Sequence, residues 1–87
     1  MVRRSFYVKD PSGLPLKSAA DICTEAIKYQ SQITMESGNT VANAKSVLNI
    51  LTACGKFDDE ITLICNGNDE TEALEKLGEL IEKALCK

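Results

Sequence analysis

Ser12-Gly13-Leu14-Pro15-Leu16-Lys17-Ser18-Ala19-Ala20 separates a strand-like run from the first helical pattern, and the rest of the chain is arranged around that change of period. The stretch reads as a loop that opens a helix. A helix start presents unpaired backbone N–H groups and the positive end of the peptide dipoles. It is therefore a natural seat for an anion, a phosphoryl group included. Chemistry at such a seat needs a nucleophile or a proton carrier. Pro15 supplies neither, and the chain contains no histidine, so a phosphohistidine mechanism is excluded.

Upstream, residues 2–9 alternate as a strand. Val2, Arg4, Phe6 and Val8 share one face and Arg3, Ser5, Tyr7 and Lys9 the other; Arg4 interrupts the apolar face. Asp10-Pro11-Ser12-Gly13 is a turn cluster that ends it. Downstream, Leu16, Ala19, Ala20, Cys23, Ala26 and Ile27 recur at helical spacing and predict an amphipathic helix over 16–29. Pro15 suits its first turn, and Ser18 with Asp21 forms a weak capping box.

Gln32, Ile33, Thr34 and Met35 predict a short strand within Ser31 to Glu36. Ser37-Gly38-Asn39 turns the chain into a second strand, Thr40-Val41-Ala42-Asn43, so the two form a hairpin. Lys45 to Gly55 reads as a short helix with Ser46 as N-cap and Gly55 as its stop. Val47, Ile50, Leu51 and Cys54 form its core stripe, whereas Leu48 falls off the edge and marks a partner-binding patch. Phe57-Asp58-Asp59-Glu60 leads into a central strand, Ile61 to Asn66. Gly67-Asn68 turns again, and Asp69 caps a last helix that runs to about Leu85. Leu74, Leu77, Ile81, Ala84 and Leu85 face its core side, with Glu72–Lys76 and Glu79–Lys83 as i, i+4 pairs. The order β-α-β-β-α-β-α implies an α+β fold with one sheet covered on one side.

The totals narrow the function. Eighty-seven residues suit one domain, 1–87, and a net charge of −3 argues against nucleic acid as a partner. No apolar run is long enough for a membrane span. Cys23, Cys54, Cys65 and Cys86 never form a C-x-x-C pair. They read as small apolar fillers in a reducing cytoplasm rather than as metal ligands. No metal, no cofactor and no enzymatic constellation is expected.

Two of these segments carry a family resemblance. Asn43-Ala44-Lys45-Ser46-Val47-Leu48-Asn49-Ile50-Leu51 resembles the regulatory-serine helix of HPr, the phosphocarrier of the bacterial phosphoenolpyruvate-dependent sugar phosphotransferase system. The stretch Ser12 to Ala19 is similar to its active-site loop in degenerate form, and Glu60-Ile61-Thr62-Leu63 and the opening of the last helix match as well. The resemblance covers essentially the whole chain. It implies an open-faced β-sandwich: a four-stranded antiparallel sheet in the order 1-4-2-3 with three helices on one face.

By the same resemblance, Pro15 stands at the phosphoryl-accepting histidine, Lys17 at an arginine and Ser18 at a proline. The phosphoryl relay then has no route through this loop. Ser46 occupies the position phosphorylated by an ATP-dependent HPr kinase/phosphorylase. Lys45, Val47, Leu48 and Leu51 lie where the family docks that kinase, a transcriptional regulator or a metabolic enzyme, and Asn49 replaces a usual glycine. A catabolite-repression paralogue in the family shares the missing histidine and retained serine. The expectation is a cytoplasmic, non-catalytic regulatory protein, monomer or weak dimer, switched at Ser46. The alternatives are an HPr-fold binding module with no switch and, least favoured, a carrier using Ser12 or Ser18, which have no base to activate them.

Overall fold

The computed structural model describes residues 1–7, 16–38, 40–53 and 60–85. Four strands, β1 (Val2–Tyr7), β2 (Gln32–Ser37), β3 (Thr40–Asn43) and β4 (Glu60–Asn66), form one antiparallel sheet in the order β1-β4-β2-β3. Three helices, α1 (Leu16–Ile27), α2 (Val47–Ala53) and α3 (Glu70–Leu85), cover one face. The α3 helix packs on β1 and β4, α2 on β2 and β3, and α1 lies against both helices. Pro15, Ser12, the turn at 10–13, Cys54, Gly55 and Cys86 lie outside the described residues.

Period-two alternation sets the two faces of the sheet. Phe6, Ile33, Met35, Ala42, Ile61, Leu63 and Cys65 point inward and are buried, while their neighbours Ser5, Gln32, Val41 and Asn66 line the open face. The β2–β3 hairpin closes between Ser37 and Thr40, with Gly38 at φ +60°, a left-handed turn position that glycine takes without strain.

Several expectations need correcting. On α1 the buried residues are Ala19, Ile22, Cys23 and Ala26, whereas Leu16 and Ile27 are exposed. The apolar spacing points to the right face, but at about 100° per residue Ile22 and Ala26 define its middle, which leaves Leu16 and Ile27 on its edge. Ser18 falls inside the first turn of α1, two residues after Leu16, so it is not the cap of a capping box. Leu51 is exposed rather than part of the α2 core stripe, which is carried by buried Ile50 with Val47 packed beside it.

The ion pairs among the described residues are the Met1 amine with Glu70, Arg4 with Glu82 and Lys28 with Glu25; neither Glu72–Lys76 nor Glu79–Lys83 forms one. Exposed lysines keep more rotamer freedom in solvent than an i, i+4 pair returns. Arg4 keeps to the covered face without burial. Its guanidinium lies 5.0 Å from the Phe6 ring centroid and reaches Glu82 at 2.9 Å, passing over Gly78 of α3.

The Asp69 carboxylate also departs from its expected role. Asp69 holds the cap position of α3 through its carbonyl, which accepts from Ala73 N at 2.9 Å. Its carboxylate instead accepts from Gln30 N and Ser31 N, each at 2.9 Å, and from the Ser31 hydroxyl. Glu70 takes over at the helix start by accepting from Gly67 N at 3.2 Å.

Candidate functional site

The segment after β3 builds the more informative of the two sites. Asn43 Oδ1 accepts from Lys45 N at 2.9 Å and Asn43 O accepts from Ser46 N at 3.0 Å, which fixes the turn that feeds α2. The Lys45 ammonium donates to Tyr29 O at 2.8 Å, at the end of α1. Lys45 thus ties the turn before α2 to the segment that follows α1. Tyr29 in turn donates its hydroxyl to Glu25 at 2.9 Å. Desolvation, reinforced by that carboxylate, pushes the Tyr29 pKa up to about 12. The bond from Tyr29, and then that from Lys28, holds the Glu25 carboxyl below its usual range.

Ser46 sits at the N-cap of α2, half-buried. Its carbonyl accepts from Ile50 N at 3.1 Å. Its Oγ accepts from Asn49 N at 3.4 Å and from Asn49 Nδ2 at 3.0 Å. The hydroxyl is held by the first turn of the helix it caps. Beside it Leu48 is 76% exposed and Leu51 36%, while Val47 is partly covered by the core. The described part of α2 therefore presents two exposed leucines on the helix that Ser46 caps.

Lys17 and Ser18 lie elsewhere, on the first turn of α1. With Asp21 they face Leu80, Lys83 and Ala84 of α3 across an open cleft of about 270 Å³. Among the described residues none from α2 lines this cleft, and Ser46 is not one of its lining residues. Among the described residues lining the cleft none is a strong nucleophile with a base beside it. Among the described residues no cluster of His, Cys, Asp or Glu suits a metal ion, and no helix is long and apolar enough to cross a membrane. Cys23 and Cys65 are buried free thiols, and desolvation pushes Cys65 up to about 11.

Sequence reasoning named Ser46 and its exposed neighbour Leu48 but missed three partners: the Asn49 carboxamide, Asn43 as the turn anchor, and the Tyr29 carbonyl under Lys45. Only the first left a local signal. An N-cap serine followed three residues later by an amide side chain is a spacing at which the two can meet.

The family model for PTS-HPr, described as the PTS HPr component phosphorylation site, matches residues 2–83. The chain belongs to the HPr family. It is 39% identical over 83 residues to the HPr-like protein Crh of Halalkalibacterium halodurans, covering 95% of this chain and 99% of that protein. The fold superposes on the histidine-containing phosphocarrier protein of a Mycoplasma with a TM-score of 0.90, at 30% identity and 97% coverage of both chains. It also matches the crystal structure of Crh, the Bacillus subtilis catabolite repression protein, a domain-swapped dimer, with a TM-score of 0.75, 32% identity and full coverage of both. Within the HPr family this chain is Crh-like, and its relatives are phosphocarrier or regulatory proteins.

Proposed function

We propose that this chain is a regulatory member of the HPr family rather than a phosphocarrier, phosphorylated at Ser46 by an HPr kinase/phosphorylase and ATP. The observation that carries the reading is a half-buried Ser46 at the N-cap of α2, followed two residues on by an exposed Leu48, in a chain without any histidine. With Pro15 at the position of the phosphoryl-accepting histidine there is no imidazole nucleophile, and Lys17 offers a point charge where an arginine would offer a bidentate fork.

A phosphate at Ser46 would add roughly −1.5 to −2 charge beside Leu48 and Leu51. That is enough to change which partner the apolar patch accepts without altering the fold. The partner class is a transcriptional regulator or metabolic enzyme that meets Val47, Leu48 and Leu51, with Lys45 at the margin. The setting is the cytoplasm, and the protein acts by binding, not by catalysis. Incubation with HPr kinase/phosphorylase and ATP, followed by phosphosite mapping, tests this: label on Ser46 is expected, and its absence rejects the switch.

One observation favours a second reading, a binding module with no switch. The Ser46 hydroxyl already has structural employment as a cap with two donors on it. Under that reading Ser46→Ala and Ser46→Asp capture the same partner equally well; under the first, Ser46→Asp changes the partner retained.

A further inference from the structure

A serine hydroxyl carries one O–H donor and two acceptor lone pairs. At Ser46 both acceptor positions are met from one residue, by Asn49 N at 3.4 Å and Asn49 Nδ2 at 3.0 Å. The backbone contact comes with the cap and would survive any side chain at 49. The shorter contact belongs to the carboxamide alone. Asn49 is itself exposed, so neither packing nor burial explains where that amide points.

We infer that the Asn49 carboxamide is a positioning group that sets how readily the Ser46 oxygen is phosphorylated and how firmly the phosphoryl group is then held. The inference rests on the reading of Ser46 as the modified residue. In the transfer the Oγ forms a bond to the γ-phosphorus of a nucleoside triphosphate held by the kinase. The bond from that phosphorus to the β,γ-bridging oxygen breaks, the diphosphate leaves with its electron pair, and the hydroxyl proton passes to a base on the kinase.

Attack uses an Oγ lone pair, so the Nδ2–H must first let go of one. Once the ester has formed, Oγ is a poor acceptor, and the same N–H lies beside phosphoryl oxygens that carry charge. A charge-assisted bond is roughly twice as strong as the neutral one it replaces. Asn49 therefore slows entry of the group and strengthens its retention. A residue without the amide at 49 does neither.

The test uses the full chain in two arms. In the first, phosphoserine is placed at position 46 by genetic encoding in the wild-type protein, in Asn49→Ala and in Asn49→Asp, and the second phosphate ionisation is followed by phosphorus NMR. The wild-type phosphate should ionise about half a pH unit lower than in Asn49→Ala, the worth of roughly one net hydrogen bond. Asn49→Asp, which sets a carboxylate beside the phosphate, should ionise highest. Equal values in wild type and Asn49→Ala would overturn the inference. In the second arm, kinase and ATP should phosphorylate Asn49→Ala roughly 2- to 12-fold faster than wild type. Equal or slower labelling counts against the inference. If the kinase labels neither protein, the reading of Ser46 as its substrate fails, while the phosphorus titration still decides what Asn49 does.

Discussion

Gly67 and Gly78 each bring a second segment close, and the difference between them is what lies opposite. A Cβ built on Gly67 would meet the Ser31 Cα at 2.7 Å and its Oγ at 2.7 Å, with φ at +157°. Backbone cannot step aside there, so Gly67→Ala should cost about 1–3 kcal/mol, the usual range for overpacking. Each kcal/mol lowers Tm by roughly 4–8 °C in a domain of this size. A Cβ on Gly78 would meet the Arg4 Nη1 at 2.9 Å, the far end of a flexible side chain. Replacing a mid-helix glycine with alanine gains about 1 kcal/mol of helix propensity. Moving Arg4 strains its pair with Glu82, whose side chains are 44% and 51% exposed and which is worth about 0–1 kcal/mol, and its contact with the Phe6 ring, worth about 0.5–1 kcal/mol at an exposed site. Gly78→Ala should therefore leave Tm unchanged or raise it. Thermal melts of the two variants side by side check both signs. Neither glycine was legible in the sequence as a close approach, because a contact across the chain leaves no local spacing to read.

At the scale of the element, α2 shows where sequence reasoning succeeds and where it stops. Ser46 as N-cap and the alternation of β2, β3 and β4 follow from local chemistry and came through intact. The orientation of Lys45 and Asn49 depends on which of several acceptors lies nearest in space, and that is a property of the assembled fold. The same limit explains Leu16 and Ile27: helical spacing identifies a face, not which residues at its edge the neighbouring elements cover. The cap also has an energetic consequence that bears on any mutational study of this serine. Ser46→Ala removes the acceptor for Asn49 N and should destabilise the protein by about 1 kcal/mol, within the 0.5–2 kcal/mol typical of such caps. Ser46→Asp keeps an acceptor at the cap and should melt within a few degrees of wild type. Chemical denaturation of both variants measures this. A loss of partner binding in Ser46→Ala alone is interpretable only at a temperature where that variant remains folded.

Across the whole molecule, Asp69 joins the two halves of the chain. Its carboxylate accepts from Gln30 and Ser31, thirty-nine and thirty-eight residues away in sequence, at the junction of α1 with β2, while its backbone starts α3 behind β4. The Ser31 hydroxyl, followed by the Gln30 and Ser31 backbone N–H groups, holds the Asp69 carboxyl below its ordinary value of 3.8. A carboxyl whose ionisation is favoured by folding adds stability that is fully present above that ordinary value. It is lost as pH falls through the lower, folded-state value. Glu70 acts in the same direction at the neighbouring position, with Gly67 N and the Met1 amine lowering its carboxyl. Both junctions therefore lose stability as the pH falls below the ordinary carboxyl values. Asp69→Asn keeps one oxygen acceptor but has no charge to lose. It should be less stable than wild type at neutral pH and should show a flatter fall in Tm between about pH 5 and pH 2. If the two proteins instead lose Tm in parallel over that range, the acid sensitivity of this fold resides in its other carboxylates, and Asp69 acts only through the shape of its hydrogen bonds.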